Sequence, residues 1–109
     1  MHELSIAEAI VDTVTQRTAE RRVEVVRVRV GKLMAVVADA LLFCFDLATQ
    51  GTPLEGARLE VDETDALVHC RSCDQDSVVA DLILLCGCGS ADVAVLAGRE
   101  LQVSSVEVV

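Results

Sequence analysis

Residues 66–98 read ALVHCRSCDQDSVVADLILLCGCGSADVAVLAG, and this stretch decides how the rest of the chain is parsed. It holds Cys70, Cys73, Cys86 and Cys88, four of the five cysteines, together with Gly87, Gly89 and Gly98, and shows little clean periodicity of helical or strand type. Just before it, Ala57, Leu59 and Val61 alternate with Arg58, Glu60 and Asp62. Just after it, Leu101 and Val103, then Val106 and Val108, alternate in the same way, with a phase slip at Ser104-Ser105 that predicts a bulge. Half-buried strands therefore bracket a segment with its own organising principle. Residues 66–98 read as an insertion into a body formed by residues 1–65 and 99–109.

Upstream, Ser5-Ile6-Ala7-Glu8 has the form of a capping box, and Leu4, Ala7, Val11 and Val14 follow at helical spacing. A helix is predicted from Ile6 to Glu20, which leaves Met1 to Leu4 as a short arm outside it, with the His2 backbone uncommitted to helical hydrogen bonds. Val26, Val28 and Val30 alternate with Arg27, Arg29 and Gly31, a strand from Val23 to Val30. After a connection over Gly31 to Ala38, Ala40, Leu41, Cys44, Leu47 and Ala48 return to helical spacing until Gly51-Thr52-Pro53. The second helix is predicted over Asp39 to Gln50. The order is α, β, α, β, insertion, β, with no internal repeat, so the fold class is α+β.

Composition narrows the function. A chain of 109 residues supports one small core. Nine Lys and Arg against 18 Asp and Glu give a net charge of −9, which opposes global binding to nucleic acid. Phe43 and Phe45 are the only aromatic residues, too few for base stacking. The longest apolar stretch, around Leu82 to Ala91, is well short of the roughly 18 to 20 residues of a membrane span. The opening residues also lack the basic and apolar regions of a secretory signal. The expectation is a cytoplasmic protein without membrane insertion.

Cysteines so clustered in a chain of that kind read as metal ligands or redox thiols rather than structural disulfides. Cys70-Arg71-Ser72-Cys73 and Cys86-Gly87-Cys88 are two thiolate pairs on a short ribbon, close to the four-thiolate zinc pattern, in which no position is left open for catalysis. The second pair has one intervening residue instead of two, a difference that Gly87 and Gly89 can absorb. The other reading, a dithiol oxidoreductase, needs a helix beginning at the motif, and none is signalled after Cys73. His69 reads as a surface residue beside Cys70, and Cys44 as a small core hydrophobe.

At the start of the chain, the Met1 α-amine, an amide nitrogen and a His2 ring nitrogen are spaced to form two fused chelate rings, a planar set that favours Ni(II) or Cu(II) over tetrahedral zinc. The plainer alternative is a solvated His2 in a disordered terminus. Six of the nine basic residues, Arg17, Arg21, Arg22, Arg27, Arg29 and Lys32, lie close together in sequence. They read either as a docking face for an acidic partner or as a solvated strand and helix end.

In combination these features resemble the HypA/HybF family of nickel metallochaperones. The resemblance rests on Met1-His2-Glu3-Leu4-Ser5, Val30-Gly31-Lys32-Leu33, Phe43-Cys44-Phe45-Asp46, Gly51-Thr52, Glu55-Gly56-Ala57, the cysteine set and Gly98-Arg99-Glu100-Leu101, spread over the whole chain. It implies a non-enzymatic protein with two helices packed on a three-stranded sheet and an inserted zinc ribbon. It further implies Ni(II) as the transported ion, bound at His2 with Met1 and Glu3, and structural Zn(II) on Cys70, Cys73, Cys86 and Cys88. Implied partners are a HypB-type GTPase and the [NiFe]-hydrogenase large subunit precursor; monomer and homo-oligomer both stay open. Unlike many relatives, the Met34 to Ala38 loop has no acidic residue, which leaves Asp39 as its nearest carboxylate. The competing reading is a zinc-ribbon protein-interaction module without a nickel role.

Overall fold

A computed structural model describes residues 2–109. The elements are α1 (His2–Arg17), β1 (Val23–Gly31), a 3-10 turn (Lys32–Met34), α2 (Ala38–Ala48), β2 (Arg58–Thr64), β3 (Ala66–Cys70), β4 (Asp76–Val79), β5 (Val93–Ala97) and β6 (Leu101–Val108). They form two three-stranded sheets, ordered β2-β1-β6 and β4-β3-β5. The α+β class holds. Contacts divide the chain into two compact units: residues up to Val28 with Val36–Asp62 and Gln102–Val109, and Arg29–Ala35 with Glu63–Leu101.

In the first unit α1 packs on α2. The apolar stripe of α1 buries Ile6, Ala7, Ile10, Val11 and Val14, while α2 buries Leu41 and Phe45. Val23, Val25, Val26 and Val28 of β1 join them, with Leu54, Ala57 and Leu59. At roughly 2 kcal/mol for each large side chain fully removed from water, these aliphatic side chains, packed with Phe45, supply the core of a unit poor in aromatic residues.

Two boundaries of α1 differ from expectation. The helix starts at His2, so residues 2–4 are helical rather than a free arm, and Ser5 lies inside the first turns. The local capping box loses to a tertiary tie, because the Glu3 carboxylate accepts the Val37 backbone N–H at 3.1 Å. Glu3 also sits in the first turn, where the helix dipole favours a negative charge. At the other end the helix stops at Arg17 instead of Glu20. The Glu20 N–H donates to the Thr15 carbonyl at 3.1 Å and the Ala19 N–H to that of Gln16 at 3.4 Å. Ala19 and Glu20 have φ of 53° and 61°. This is a Schellman closure built without the usual glycine, so no local stop signal marks it.

In the second unit the segment that lacked periodicity contains a sheet of its own. β3 pairs antiparallel with β4, Ala66 opposite Val79 and His69 opposite Asp76, and with β5, Cys70 opposite Val93. Ala66, Val68 and Val79 are buried, with Leu33, Leu84, Val93 and Val95 packed against them. Gly31 and Gly98 meet in this unit. A Cβ on Gly31 would lie 2.1 Å from the Gly98 carbonyl carbon and oxygen, so only glycine fits. Backbone bonds from the Gly31 N–H to the Glu100 carbonyl (2.7 Å) and from the Leu33 N–H to that of Gly98 (2.8 Å) hold the approach.

β6 is one continuous strand, and the phase slip is visible in its burial. Val103, Val106 and Val108 are half-buried, whereas Ser104 and Ser105 are both exposed.

Candidate metal centres

The four clustered cysteines converge. Cys70 ends β3, Cys73 lies in the following turn, and Cys86 and Cys88 lie in the loop before β5. All four sulfur atoms are within 4.8 Å of one another, with Cys70 Sγ 3.7 Å from Cys88 Sγ and Cys73 Sγ 3.6 Å from Cys86 Sγ. With Zn–S bonds of about 2.3 Å, a tetrahedron has S···S edges of about 3.8 Å. A disulfide would need about 2.05 Å. The donor set, its number and its spacing fit zinc.

Local structure explains the convergence. In the first arm the Cys70 N–H donates to the Gln75 carbonyl (2.9 Å), the Asp74 N–H returns to that of Cys70 (2.8 Å), and Asp74 takes φ of 58°. The second arm closes as a turn despite its shorter spacing. The Gly89 N–H donates to the Cys86 carbonyl (2.8 Å) and the Cys86 N–H to that of Ser90 (2.9 Å). Gly89 has φ of 93° and absorbs the missing residue. Ser72 and Ser90 join the arms through their hydroxyls at 2.8 Å.

The thiols are electrostatically unequal. The Cys73 N–H, 3.5 Å from Cys70 Sγ, is the main cause that lowers the Cys70 thiol to about 6. Cys73, hydrogen-bonded to the Cys86 and Cys70 thiols, is pushed up to about 12. A cation would have to displace such shared protons, since the thiolate is the ligand. His69 points elsewhere: its Nδ1 is 2.7 Å from an Asp76 oxygen and its Nε2 3.0 Å from one of Asp74. Both ring nitrogens face carboxylates, Asp76 foremost, which raises the imidazole pKa. Cys44 is half-buried on α2 and outside the cluster.

The N-terminal candidates lie in the other unit. His2 is the first residue of α1, so its amide is among the four N–H groups that have no acceptor inside the helix. Its side chain is half exposed, and its Nε2 lies 2.8 Å from Glu3 Oε2. That same oxygen accepts the Val37 N–H, which is the main reason the Glu3 carboxyl is held below its ordinary pKa. Glu3 is thus fixed on two sides, a relation across 34 positions that no local motif announced. Met1, the remaining member of the expected set, lies outside the described residues.

Several of the basic residues grouped by the sequence are paired inside the chain. Arg27 bridges the Glu60 and Glu107 carboxylates, and Lys32 meets Asp65 at 2.8 Å. No helix among the described residues is long and apolar enough to cross a membrane.

Comparison with known proteins agrees with this geometry. Residues 1–108 match the HypA family, described as hydrogenase/urease nickel incorporation metallochaperones. The hydrogenase maturation factor HypA of Nostoc sp. is 40% identical over 108 residues, covering 99% of this chain and 96% of its own. That of Streptomyces avermitilis is 45% identical over 112 residues, covering 97% and 86%. In fold, the chain is similar to the solution structure of the Ni metallochaperone HypA from Helicobacter pylori, with a TM-score of 0.66 at 19% identity and coverage of 97% and 96%. With two helices, a three-stranded sheet and a second sheet carrying a four-cysteine zinc site, the chain belongs to the HypA family of nickel metallochaperones.

Proposed function

We propose that this metallochaperone of hydrogenase maturation takes up Ni(II) at its N-terminus, through the Met1 α-amine, the His2 amide nitrogen and the His2 Nδ1. Three nitrogen donors closing two fused rings suit the square geometry of Ni(II). The observation that carries the reading is the contact of His2 Nε2 with a Glu3 carboxylate that is itself anchored by the Val37 N–H. A carboxylate on Nε2 keeps the proton there and leaves Nδ1 as the lone-pair donor, the nitrogen that closes the second ring. Glu3 therefore acts as an orienting residue.

Cys70, Cys73, Cys86 and Cys88 hold Zn(II). A closed four-thiolate site supplies folding energy to the small sheet and no chemistry. Residues 66–98 form the inserted ribbon, and residues 1–65 with 99–109 form the nickel-binding body. Nickel passes to the [NiFe]-hydrogenase large subunit precursor with the help of a HypB-type GTPase, in the cytoplasm. The half-exposed His2 supports delivery, because transfer by ligand exchange requires the acceptor to reach the donor atoms.

The test is transfer itself. Nickel-loaded protein is mixed with metal-free large subunit precursor, and the nickel content of each is read after separation. Nickel is expected to move to the precursor faster than from an equal amount of a weak small chelator. Nickel that stays on the chain, or moves no faster than from the chelator, contradicts the proposal.

A further inference from the structure

The outer face of α2 has an unusual composition. A helix lying on a core normally turns charged residues outward, and one that is apolar all round is normally covered on every side. α2 buries Leu41 and Phe45 on its inner face, and still exposes Leu42, Phe43 and Leu47 on its outer one. Phe43, one of two aromatic residues in the chain, is 66% exposed. Phe43 and Leu47 are four residues apart and so lie side by side on the helix surface.

Two observations indicate what covers this face. The first is charge. The exposed polar positions among these apolar ones include Asp39 and Asp46, and no lysine or arginine occurs between residues 33 and 57. The carboxylates on this face favour a basic covering surface. The second is position. Val37, 61% exposed, is the residue that precedes α2 and holds Glu3 against His2. From it to Leu47 the chain rises only about 15 Å along the helix. A protein that draws nickel from His2 must bring its own ligand to within about 2 Å of the metal, so its surface comes close to Val37 and has α2 within reach.

We propose that the outer face of α2, anchored by Phe43 and Leu47, docks the nickel-accepting protein through an apolar groove rimmed by lysine or arginine. This rests on the reading of His2 as the nickel donor. Aromatic anchors in a desolvated groove carry most of the affinity of such contacts, and rim charges set the association rate.

The experiment measures binding of metal-free hydrogenase large subunit precursor to the full chain and to Phe43→Glu, Leu47→Glu, Phe43→Leu and Asp46→Lys, each checked by thermal melting and by Ni(II) titration. The glutamate variants should lose at least tenfold in precursor affinity with unchanged nickel binding. Phe43→Leu should keep most of it, and Asp46→Lys should slow association at low salt. The proposal is overturned if the precursor binds the glutamate variants as it binds the native chain, or if it binds the native chain not at all. It is equally overturned if the native chain sediments as a dimer that Phe43→Glu splits, since a second copy then covers the face. Because docking is measured without metal, a failure of the His2 site shows only in the nickel titration and is told apart from a failure of docking.

Discussion

Val37 donates its backbone N–H to the Glu3 carboxylate at 3.1 Å, and so ties the first turn of α1 to the start of α2. The same oxygen faces His2 Nε2. One carboxylate thus meets both the His2 ring and the backbone at the start of α2.

Removing that carboxylate should weaken nickel binding without removing any nitrogen donor. Glu3→Ala is expected to lower nickel affinity about tenfold to a hundredfold, the usual effect of losing an orienting partner behind a ligand. Glu3→Gln, which keeps an acceptor oxygen for Val37, should recover part of it. Equal titration curves for Glu3→Ala and the native chain would show that the ring needs no orienting group.

Gly31 tests the close approach in the second unit. A methyl group there would penetrate the Gly98 carbonyl, which is backbone and cannot swing aside. Gly31→Ala should therefore cost about 3 kcal/mol or more, the upper range for overpacking. Denaturant unfolding of the zinc-loaded chain measures it, and an unchanged midpoint would rule the clash out.

Acid should release a clamp at Glu100. Its carboxylate accepts the Thr64 hydroxyl at 2.5 Å and the Gly98 N–H at 2.6 Å, and these two bonds, Thr64 first, hold its pKa below the ordinary 4.5. A depressed carboxylate favours the folded state above pH 4.5 and loses that advantage as pH falls through its folded value. The native chain should accordingly melt above Glu100→Gln at pH 6, and the gap should narrow below pH 4.5. A gap that stays constant through acid would remove Glu100 from the pH dependence.

Zinc removal should unfold one unit and spare the other. The buried cluster of the second unit is Ala66, Val68 and Val79, too few apolar groups to hold a sheet without a staple. After chelation, amides of β3 to β5 should exchange quickly with deuterium while those of α1 keep their protection. Continued protection of β3 would mean that the sheet stands without metal.

Much of this was legible in the residues themselves. The valine alternation of β1 and the spacing of Leu41, Cys44 and Ala48 marked a strand and a helix, because burial on one face leaves a period in the sequence. The cysteine spacing marked the cluster, and Gly89 allowed for its short arm. What escaped was non-local. The sheet at residues 66–98 is made of strands of four or five residues whose partners are distant in sequence, and β3 alternates only through Ala66, Val68 and Cys70. The start of α1 depends on Val37, and its end on left-handed Ala19, which no sequence rule favours over glycine.

A Ni(II) titration of zinc-loaded protein bearing its native terminus, run beside His2→Ala and followed by heat and d–d absorbance, is the most direct measurement. One nickel per chain, bound with the absorbance of a planar nitrogen site and lost in His2→Ala, is the predicted result. Equal binding by both proteins would contradict it and leave the chain as a zinc-ribbon interaction module with no nickel site at its N-terminus.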